Sequence, residues 1–467
     1  MALKLYNTLG RKKQEFKPLK KGQVGIYSCG LTVYNYGHIG NYRAFVASDI
    51  LRRYFEFKGF EVKKIVNITD VDDKTIKGSI AEKKSLKEFT DKYEKAFFED
   101  EARLNIKRAW KYPRATEHIN EMVALIEKLL KKGFAYKADD GIYFNIKKFK
   151  NYGKLSGVKL SKLKAGGSSR VSTDEYDKEN IKDFALWKFW DESDGDVFWN
   201  TKIGKGRPGW HIECSAMSSK YLGQPFDSEN KEFSASKIAK KNQAIFDIHT
   251  GGVDLIFPHH ENEIAQSECA NGKMFVNYWL HNEWMMVDGK KMSKSLGNYY
   301  TVRDIEKDFD VLALRYFYLT GHYRSQLNFT IDNLKSAQNS LVRLRNIISE
   351  LKDDGKINSD YLKKFEKAMD DDLDTVGGLQ VLWELVRDGK AKGRVGAVRK
   401  IDSVLGLDLL KKNEVEIPDF VLEMVKEREE LRRKKSWKKA DEIRDKIEKM
   451  GFRIDDTEKG SVVKKMK

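Results

Sequence analysis

The sequence predicts an α/β protein organised on a parallel sheet, and three observations carry that expectation. Residues 23–29, Gln-Val-Gly-Ile-Tyr-Ser-Cys, alternate apolar with small or polar positions and stop at Gly30, the pattern of a strand. Asn41 to Lys58 then carries an apolar helical face through Phe45, Val46, Ile50, Tyr54 and Phe55, and Gly59 ends it. Val62 to Ile68 returns as a strand, so the three form a βαβ unit, expected to be parallel and right-handed.

From about residue 77 to 200 the texture changes. A helix over Ile119 to Lys132 precedes a hairpin turning at Asp139-Asp140-Gly141, which reads as an inserted domain. Alternation resumes near Trp210, and Ile245-Phe246-Asp247-Ile248 runs into Gly251-Gly252 as a strand followed by a glycine turn, an arrangement that suits a nucleotide's sugar or base. Met274 to Leu280 and Glu283 to Val287 read as further strands, the second turning at Asp288-Gly289 so that Lys291 falls on a loop tip. After Asp308 the chain reads as helices with charged faces, for example Leu334 to Leu351. Near the end, Trp437, Ala440, Ile443, Ile447 and Met450 recur at helical spacing, which puts Trp437 in a core. The basic run around it, Arg432 to Lys435 with Lys438 and Lys439, is the better RNA contact.

With 467 residues and 40% hydrophobic content, the chain can bury several cores; about two to four domains are expected. No apolar run approaches the roughly 20 residues of a membrane span, and Met1-Ala2-Leu3-Lys4 opens no signal-peptide segment, so a cytoplasmic protein with no membrane partner is expected. The formal charge of +17 favours a polyanionic partner such as RNA. Three cysteines, Cys29, Cys214 and Cys269, argue against a disulfide framework and leave thiol or metal chemistry.

Two pentads carry chemistry. Gly37-His38-Ile39-Gly40-Asn41 falls where a helix opens after a strand, so free backbone N–H groups and the helix dipole favour a phosphate there. Lys291-Met292-Ser293-Lys294-Ser295 offers polar charge for the same anion. His259 and Glu263 are spaced i, i+4 on a helix expected after Pro258, so both project to one face and can share an ion. If the strands ending near Cys29 and Cys214 lie in one sheet with that leading to Gly251, both thiols converge with this pair at its carboxyl edge. Two thiolates, an imidazole and a carboxylate suit zinc, whose softness would favour a sulfur-bearing substrate over a hydroxyl. His260 is a rival to His259, and Cys269 faces away as a buried thiol.

These residues resemble the cysteinyl-tRNA synthetases, a branch of the class I aminoacyl-tRNA synthetases. The likeness rests on Tyr27-Ser28-Cys29-Gly30, His38-Ile39-Gly40-Asn41, Asn67 to Lys74, Trp210-His211-Ile212-Glu213-Cys214, Phe257 to Glu263 and the lysine pentad. Asn41 departs from the generic class I histidine and looks like the cysteine branch. The resemblance implies a Rossmann-type parallel-sheet core over 1–76 and 201–307, a connective insertion over 77–200, a helical domain over 308–410 and a small basic anticodon-binding region over 411–467. It implies that His38, Lys291 and Lys294 act on the triphosphate, and that Gly37, Gly40, Asn41, His249, Gly251, Gly252 and Asp254 bind ATP, with Mg2+. Cys29, Gly30, Thr32, Thr69 and Trp210 would bind cysteine, and Cys29, Cys214, His259 and Glu263 would hold one zinc ion. The implied partners are ATP, L-cysteine and cysteine tRNA, and the implied state is a monomer. One departure stands out: Asp227 to Phe246, rich in Lys, Ser and Asn, interrupts the family pattern and predicts a mobile surface loop. Two other functions fit a similar core: a tRNA-independent cysteine ligase acting on a small amine, and a catalytically inactive RNA-binding paralogue. The basic C-terminal stretch disfavours the first, and intact His38, Lys294 and zinc candidates disfavour the second.

Overall fold

The structure, a computed structural model, describes residues 2–159, 183–223, 244–292, 297–411, 418–457 and 460–465. It divides into two units, 1–409 and 410–467.

The first unit opens with an antiparallel hairpin, β1 (Lys4–Asn7) and β2 (Lys12–Glu15), before the βαβ unit of β3 (Gln23–Ser28), α1 (Ile39–Phe57) and β4 (Glu61–Val66). Helix α1 starts at Ile39 rather than Asn41 because His38 caps it. Helices α2 (Asp73–Ala81), α3 (Leu86–Arg103) and α4 (Ile119–Lys131) lead into a five-stranded antiparallel sheet. Its strands are β5 (Ala135–Lys137), β6 (Gly141–Phe144), β7 (Phe184–Phe189), β8 (Trp199–Thr201) and β9 (Gly204–Pro208), in the order β5-β6-β7-β9-β8. The predicted hairpin is the β5–β6 turn, where Lys137 faces Ile142.

The chain then returns through α5 (Trp210–Leu222), β10 (Phe246–Gly252), α6 (Glu261–Asn271) and β11 (Val276–Asn282). Strands β11-β10-β3-β4 form one sheet in that order, all parallel, as the fold class requires. One expectation is corrected here. Strand β9, the approach to Cys214, belongs to the inserted antiparallel sheet and not to the central one. Its sequence, Gly-Lys-Gly-Arg-Pro, lacks the apolar run that a strand covered on both faces needs. Cys214 reaches the centre on α5, which lies against β3.

Beyond β11 the chain leaves the parallel sheet. Strands β12 (Met285–Val287) and β13 (Lys290–Lys291) make a hairpin whose turn residues, Asp288 and Gly289, both have positive φ, 50° and 72°. That conformation favours an Asp-Gly pair. Lys291 therefore pairs with Met286 on the returning strand and is not at the tip. Strand β14 (Leu327–Phe329) adds in parallel to β12. Of the proposed loop over 227–246, residues 227–243 lie outside the described residues; Ala244 and Ile245 are buried and Phe246 opens β10.

Helices α7 (Val302–Glu306), α8 (Val311–Leu319), α9 (Ile331–Ser349), α10 (Ser359–Met369), α11 (Thr375–Arg387) and α12 (Arg394–Leu405) complete this unit. Arg315 on α8 is fully buried and joins four segments. It donates to Asp49 on α1 at 2.6 Å, to the carbonyls of Leu104 and Asn105 at 2.9 and 3.1 Å, and to that of Leu405 at 2.7 Å. Arg53 also holds Asp49, at 2.6 Å. Removing one partner of a buried pair leaves an uncompensated charge, so Arg315→Met should lower stability by about 3–5 kcal/mol. Urea unfolding of the two proteins would measure it, and an unchanged midpoint would refute the assignment.

The second unit packs α13 (Asp419–Arg433) and α14 (Trp437–Lys449) with an unexpected hairpin, β15 (Phe452–Thr457) and β16 (Gly460–Lys465), around Val421, Val425, Ile443, Ile447, Phe452 and Ile454. Trp437 is not in this core: it is 57% exposed. It is the first residue of α14, and helical side chains lean toward the N-terminus, so this one overhangs the packed stretch. Within the basic run, Arg432 is engaged with Asp456.

Candidate active site

A cavity of about 510 Å³ opens at the carboxyl ends of β3 and β10, between the start of α1 and the β12–β13 hairpin. Gly37, His38, Gly40 and Asn41 line one side, Gly251, Gly252 and Asp254 another, and Lys291 with Trp284 a third; Cys29, Gly30 and Thr32 complete the wall. Lys294 lies outside the described residues.

His38 is the N-cap of α1. Its Nδ1 accepts from the Asn41 backbone N–H at 3.1 Å, and the Asn41 side-chain oxygen accepts from the His38 N–H at 3.1 Å. This reciprocal box gives Asn41 a physical role that a larger ring would not fill in the same way. Because Nδ1 is an acceptor, Nε2 carries the proton and the ring is neutral. Burial pulls its pKa down to about 4, against a smaller opposing effect of Asp254. His38 thus caps the helix and presents a fixed, uncharged N–H donor.

Lys291 remains largely exposed, with its ammonium 3.9 Å from Asp254 and 5.2 Å from the centre of the Trp284 ring. Two glycines are required by close approach. A Cβ on Gly30 would sit 1.6 Å from the Asn67 carbonyl oxygen, and one on Gly251 2.7 Å from the His260 ring.

Behind the cavity lies a cluster of metal-ligating side chains. One atom from each of Cys29, Cys214, His259 and Glu263 lies within 4.8 Å of the others; Cys29, His249, His260 and Glu263 form an overlapping second set. The two sulfurs are 4.0 Å apart, His259 Nε2 lies 3.2 Å from Glu263 Oε1, and Cys29 Sγ lies 4.0 Å from the same oxygen. Tetrahedral zinc with bonds of about 2.3 Å to sulfur and about 2.0–2.2 Å to nitrogen or oxygen has edges of about 3.8 Å between sulfurs and about 3.4 Å between the lighter atoms. The first set fits those edges.

Its electrostatics ask for a cation. Burial, reinforced by Cys214, pushes the Glu263 carboxyl well above the usual carboxylate range. Burial also opposes ionisation of Cys214, yet its hydrogen bond with Cys29 and the adjacent His259 hold that thiol well below the ordinary range. Cys29, half-buried at the cavity wall, moves up through desolvation of its sulfur and the adjacent Cys214. Three acidic groups thus share one desolvated place, an arrangement that a dication relieves.

The histidines around it are cross-linked. His259 Nδ1 is 2.9 Å from His211 Nδ1, and its ring stacks on Trp210 with centres 4.1 Å apart. His260 Nε2 is 3.3 Å from Cys29 Sγ, its Nδ1 is 2.8 Å from His281 Nε2, and His281 Nδ1 is 2.8 Å from Thr8 Oγ1. His249 does not line the cavity: it is fully buried against Trp279, with Nε2 3.2 Å from Glu263. Thr69 is likewise behind the wall, donating to Glu213 at 3.1 Å and accepting from Asn67, whose oxygen in turn takes the Gly30 N–H. Cys269 is buried in the core as a free thiol, pushed up to about 12 by burial.

Sequence reasoning did not single out His211, Glu213, His281, Arg43 or Trp284. The block Trp210 to Cys214 held the first two in plain view; the others carried no signal, since their partners are distant in sequence.

Comparison with known proteins agrees with this geometry. Residues 15–339 match the family described as the catalytic domain of class I (C) tRNA synthetases. The chain is 46% identical over 482 residues to a cysteine–tRNA ligase of Brachyspira hyodysenteriae, covering 97% of this chain and 98% of that one. It is 44% identical over 487 residues to that of Protochlamydia amoebophila, covering 99% and 98%. In fold it is similar to an Agrobacterium radiobacter leucyl-tRNA synthetase solved in a ternary complex with tRNA, at a TM-score of 0.58 and 10% identity over 84% of each chain. It is also similar to a Mycobacterium tuberculosis methionyl-tRNA synthetase bound to methionyl-adenylate, at 0.55 and 12% over 82% of this chain and 88% of that one.

Proposed function

Since this chain belongs to the cysteine–tRNA ligases of class I, we propose that its cavity joins L-cysteine to ATP and then passes the cysteinyl group to cysteine tRNA. The observation that carries the reading is the position of Cys29, which belongs both to the metal-ligating cluster and to the cavity wall. Anything held by the cluster faces whatever occupies the cavity.

In this reading the triphosphate meets the start of α1, with His38 Nε2–H as donor and Lys291 and Lys294 as charges. The adenosine lies over Gly251 and Gly252, near Asp254. The cysteine carboxylate attacks the α-phosphorus, a phosphorus–oxygen bond to it forms, and pyrophosphate leaves. A carboxylate is already ionised at neutral pH, so the step needs donors for the charge that builds on phosphate, not a base. A hydroxyl of the tRNA's terminal adenosine then takes the cysteinyl group and AMP departs.

Cys29, Cys214, His259 and Glu263 would hold zinc, and Cys214 is the reason to prefer this set: it brings the thiol that gives up its proton most readily. A bound zinc would supply a soft Lewis acid for the substrate's sulfur. His260, hydrogen-bonded between His281 and Cys29, and His249, beside Glu263, then orient ligands rather than serve as them. Trp210 acts on the pocket by stacking on His259; Thr32 and Gly30 line the wall, and Thr69 supports it from behind through Asn67, which holds the Gly30 N–H.

Coverage of nearly the full length of the cysteine–tRNA ligases supports the tRNA-charging reading over a ligase for a small amine. ATP and tRNA as substrates fit a cytoplasmic location, and no helix among the described residues is long and apolar enough to cross a membrane.

Pyrophosphate exchange into ATP tests the first step and charging of a cysteine tRNA transcript the second. Cysteine should support exchange and serine should not. Even residues that merely orient ligands are worth about 10–100-fold, so a zinc-stripped preparation should lose more than about 100-fold in exchange and regain it with zinc. Full activity without metal would sink the coordination argument. Exchange without charging would select the small-amine ligase, and RNA binding without exchange the inactive paralogue.

A further inference from the structure

Arg43 lies on α1, five residues beyond His38, and is only 2% exposed. Among the described residues it forms no ion pair. Its guanidinium instead donates to four backbone carbonyls: Glu283 and Trp284 at 2.8 and 2.7 Å, and His322 and Ser325 at 3.2 and 2.5 Å. A buried cation without a carboxylate is expensive unless something requires it.

The backbone supplies the requirement. At Asn282 the chain leaves the parallel sheet, and at Met285 it joins the small sheet with β14. The two residues between, Glu283 and Trp284, lie in neither strand, and each carbonyl has one other donor, the Asn282 side chain at 2.8 Å for Glu283 and the Leu327 N–H of β14 at 3.2 Å for Trp284. Arg43 takes both. With its other nitrogen it takes two carbonyls of the turn 322–325, whose Tyr323 carbonyl also accepts from the Glu283 N–H at 2.8 Å. Only the planar fork of an arginine reaches so many acceptors in fixed directions; a lysine is a point charge on a flexible stem.

These contacts set the place of the hairpin. Trp284 gives its carbonyl to Arg43 and its ring to Lys291, and Lys291 is anchored by its pairing with Met286 two residues further along. Resting on the functional reading above, we propose that Arg43 is a positioning residue: it fixes the lysine hairpin relative to His38, and so sets the separation of the two groups that act on ATP's phosphates. It touches no substrate itself and lies apart from the metal-ligating cluster.

The test compares Arg43→Lys and Arg43→Ala with the zinc-loaded full-length protein in cysteine-dependent pyrophosphate exchange. Misplacement of about 1 Å costs about 100-fold in rate, so kcat should fall by about that factor in both variants. Zinc content and the KM for cysteine, which report the cluster, should stay unchanged. Guanidinium chloride, well below denaturing concentration, should restore part of the Arg43→Ala rate, and sodium chloride should not. If Arg43→Ala fails to fold, Arg43→Lys decides alone. Wild-type kcat in the lysine variant, or loss of zinc and cysteine affinity in step with kcat, would overturn the proposal. Absence of exchange in the unaltered protein would instead overturn the functional reading.

Discussion

Cys214→Ser should abolish metal binding and cysteine activation together. Serine is nearly isosteric, so the fold of α5 is kept, but its hydroxyl does not ionise at neutral pH and is a hard donor. Within the cluster, Cys214 is the thiol whose ionisation its neighbours promote, so the substitution removes the principal negative charge as well as a sulfur. Changes one step removed from a metal cost about 10–100-fold, and loss of a direct ligand should exceed about 100-fold in zinc affinity and in kcat/KM for cysteine. ATP binding, which the proposed reading assigns to the walls formed by the start of α1 and Gly251 to Asp254, should be nearly unaffected. Metal content by mass spectrometry of the native protein and exchange kinetics check the two effects. A variant that retains one zinc and full kcat/KM would remove Cys214 from the ligand set.

His38→Asn should separate the two roles that the histidine combines. Asparagine is among the best N-caps, so its side-chain oxygen can accept from the Asn41 N–H and keep α1 intact. It has no donor where Nε2–H stands. Loss of one preorganised donor to a developing charge costs about 100–1,000-fold in kcat, and that loss is expected in exchange while the unfolding free energy at neutral pH changes by less than about 1 kcal/mol. The pH dependence carries a second signature. The folded pKa of His38 is lowered from 6.5 to about 4, so between those values the unfolded chain binds the extra proton. The stability that comes from burying this ring in its neutral form is therefore complete above pH 6.5 and is lost as pH falls toward about 4. Across that window the natural protein should lose stability relative to the asparagine variant, so that the variant becomes the more stable of the two near pH 4, while the other buried histidines, present in both, cancel. A constant difference would show that burial does not hold the His38 ring neutral.

Much of this architecture was legible because its signals are local. The βαβ unit is written in alternation and in a helical face. The capping position of His38 follows from a helix that opens after a strand, and the His259–Glu263 pair from i, i+4 spacing. What the sequence hid depends on long-range geometry. Strand β9 was assigned to the wrong sheet because short glycine-rich strands do not announce their partners. Trp437 was placed in a core because periodicity defines a face but not where the opposing surface ends. Arg43 left no trace at all: its partners are backbone carbonyls, which every residue has, so no pattern of side chains points to them. His249 was placed near the nucleotide by resemblance, whereas its ring lies on the other side of the glycine turn, against Glu263.

The metal-ligating residues come from separate stretches of chain, with Cys29 and Cys214 separated by 185 positions and Cys29 and Glu263 by 234. Such a centre does not exist in any fragment. On the ribosome these groups can meet only after the whole insertion has emerged and the central sheet has closed, so capture of a metal there would belong to the end of maturation rather than its beginning. A bound ion would staple the end of β3, helix α5 and the segment 259–263 at a single point, and its release would then be tied to separation of those elements rather than to fraying at the surface.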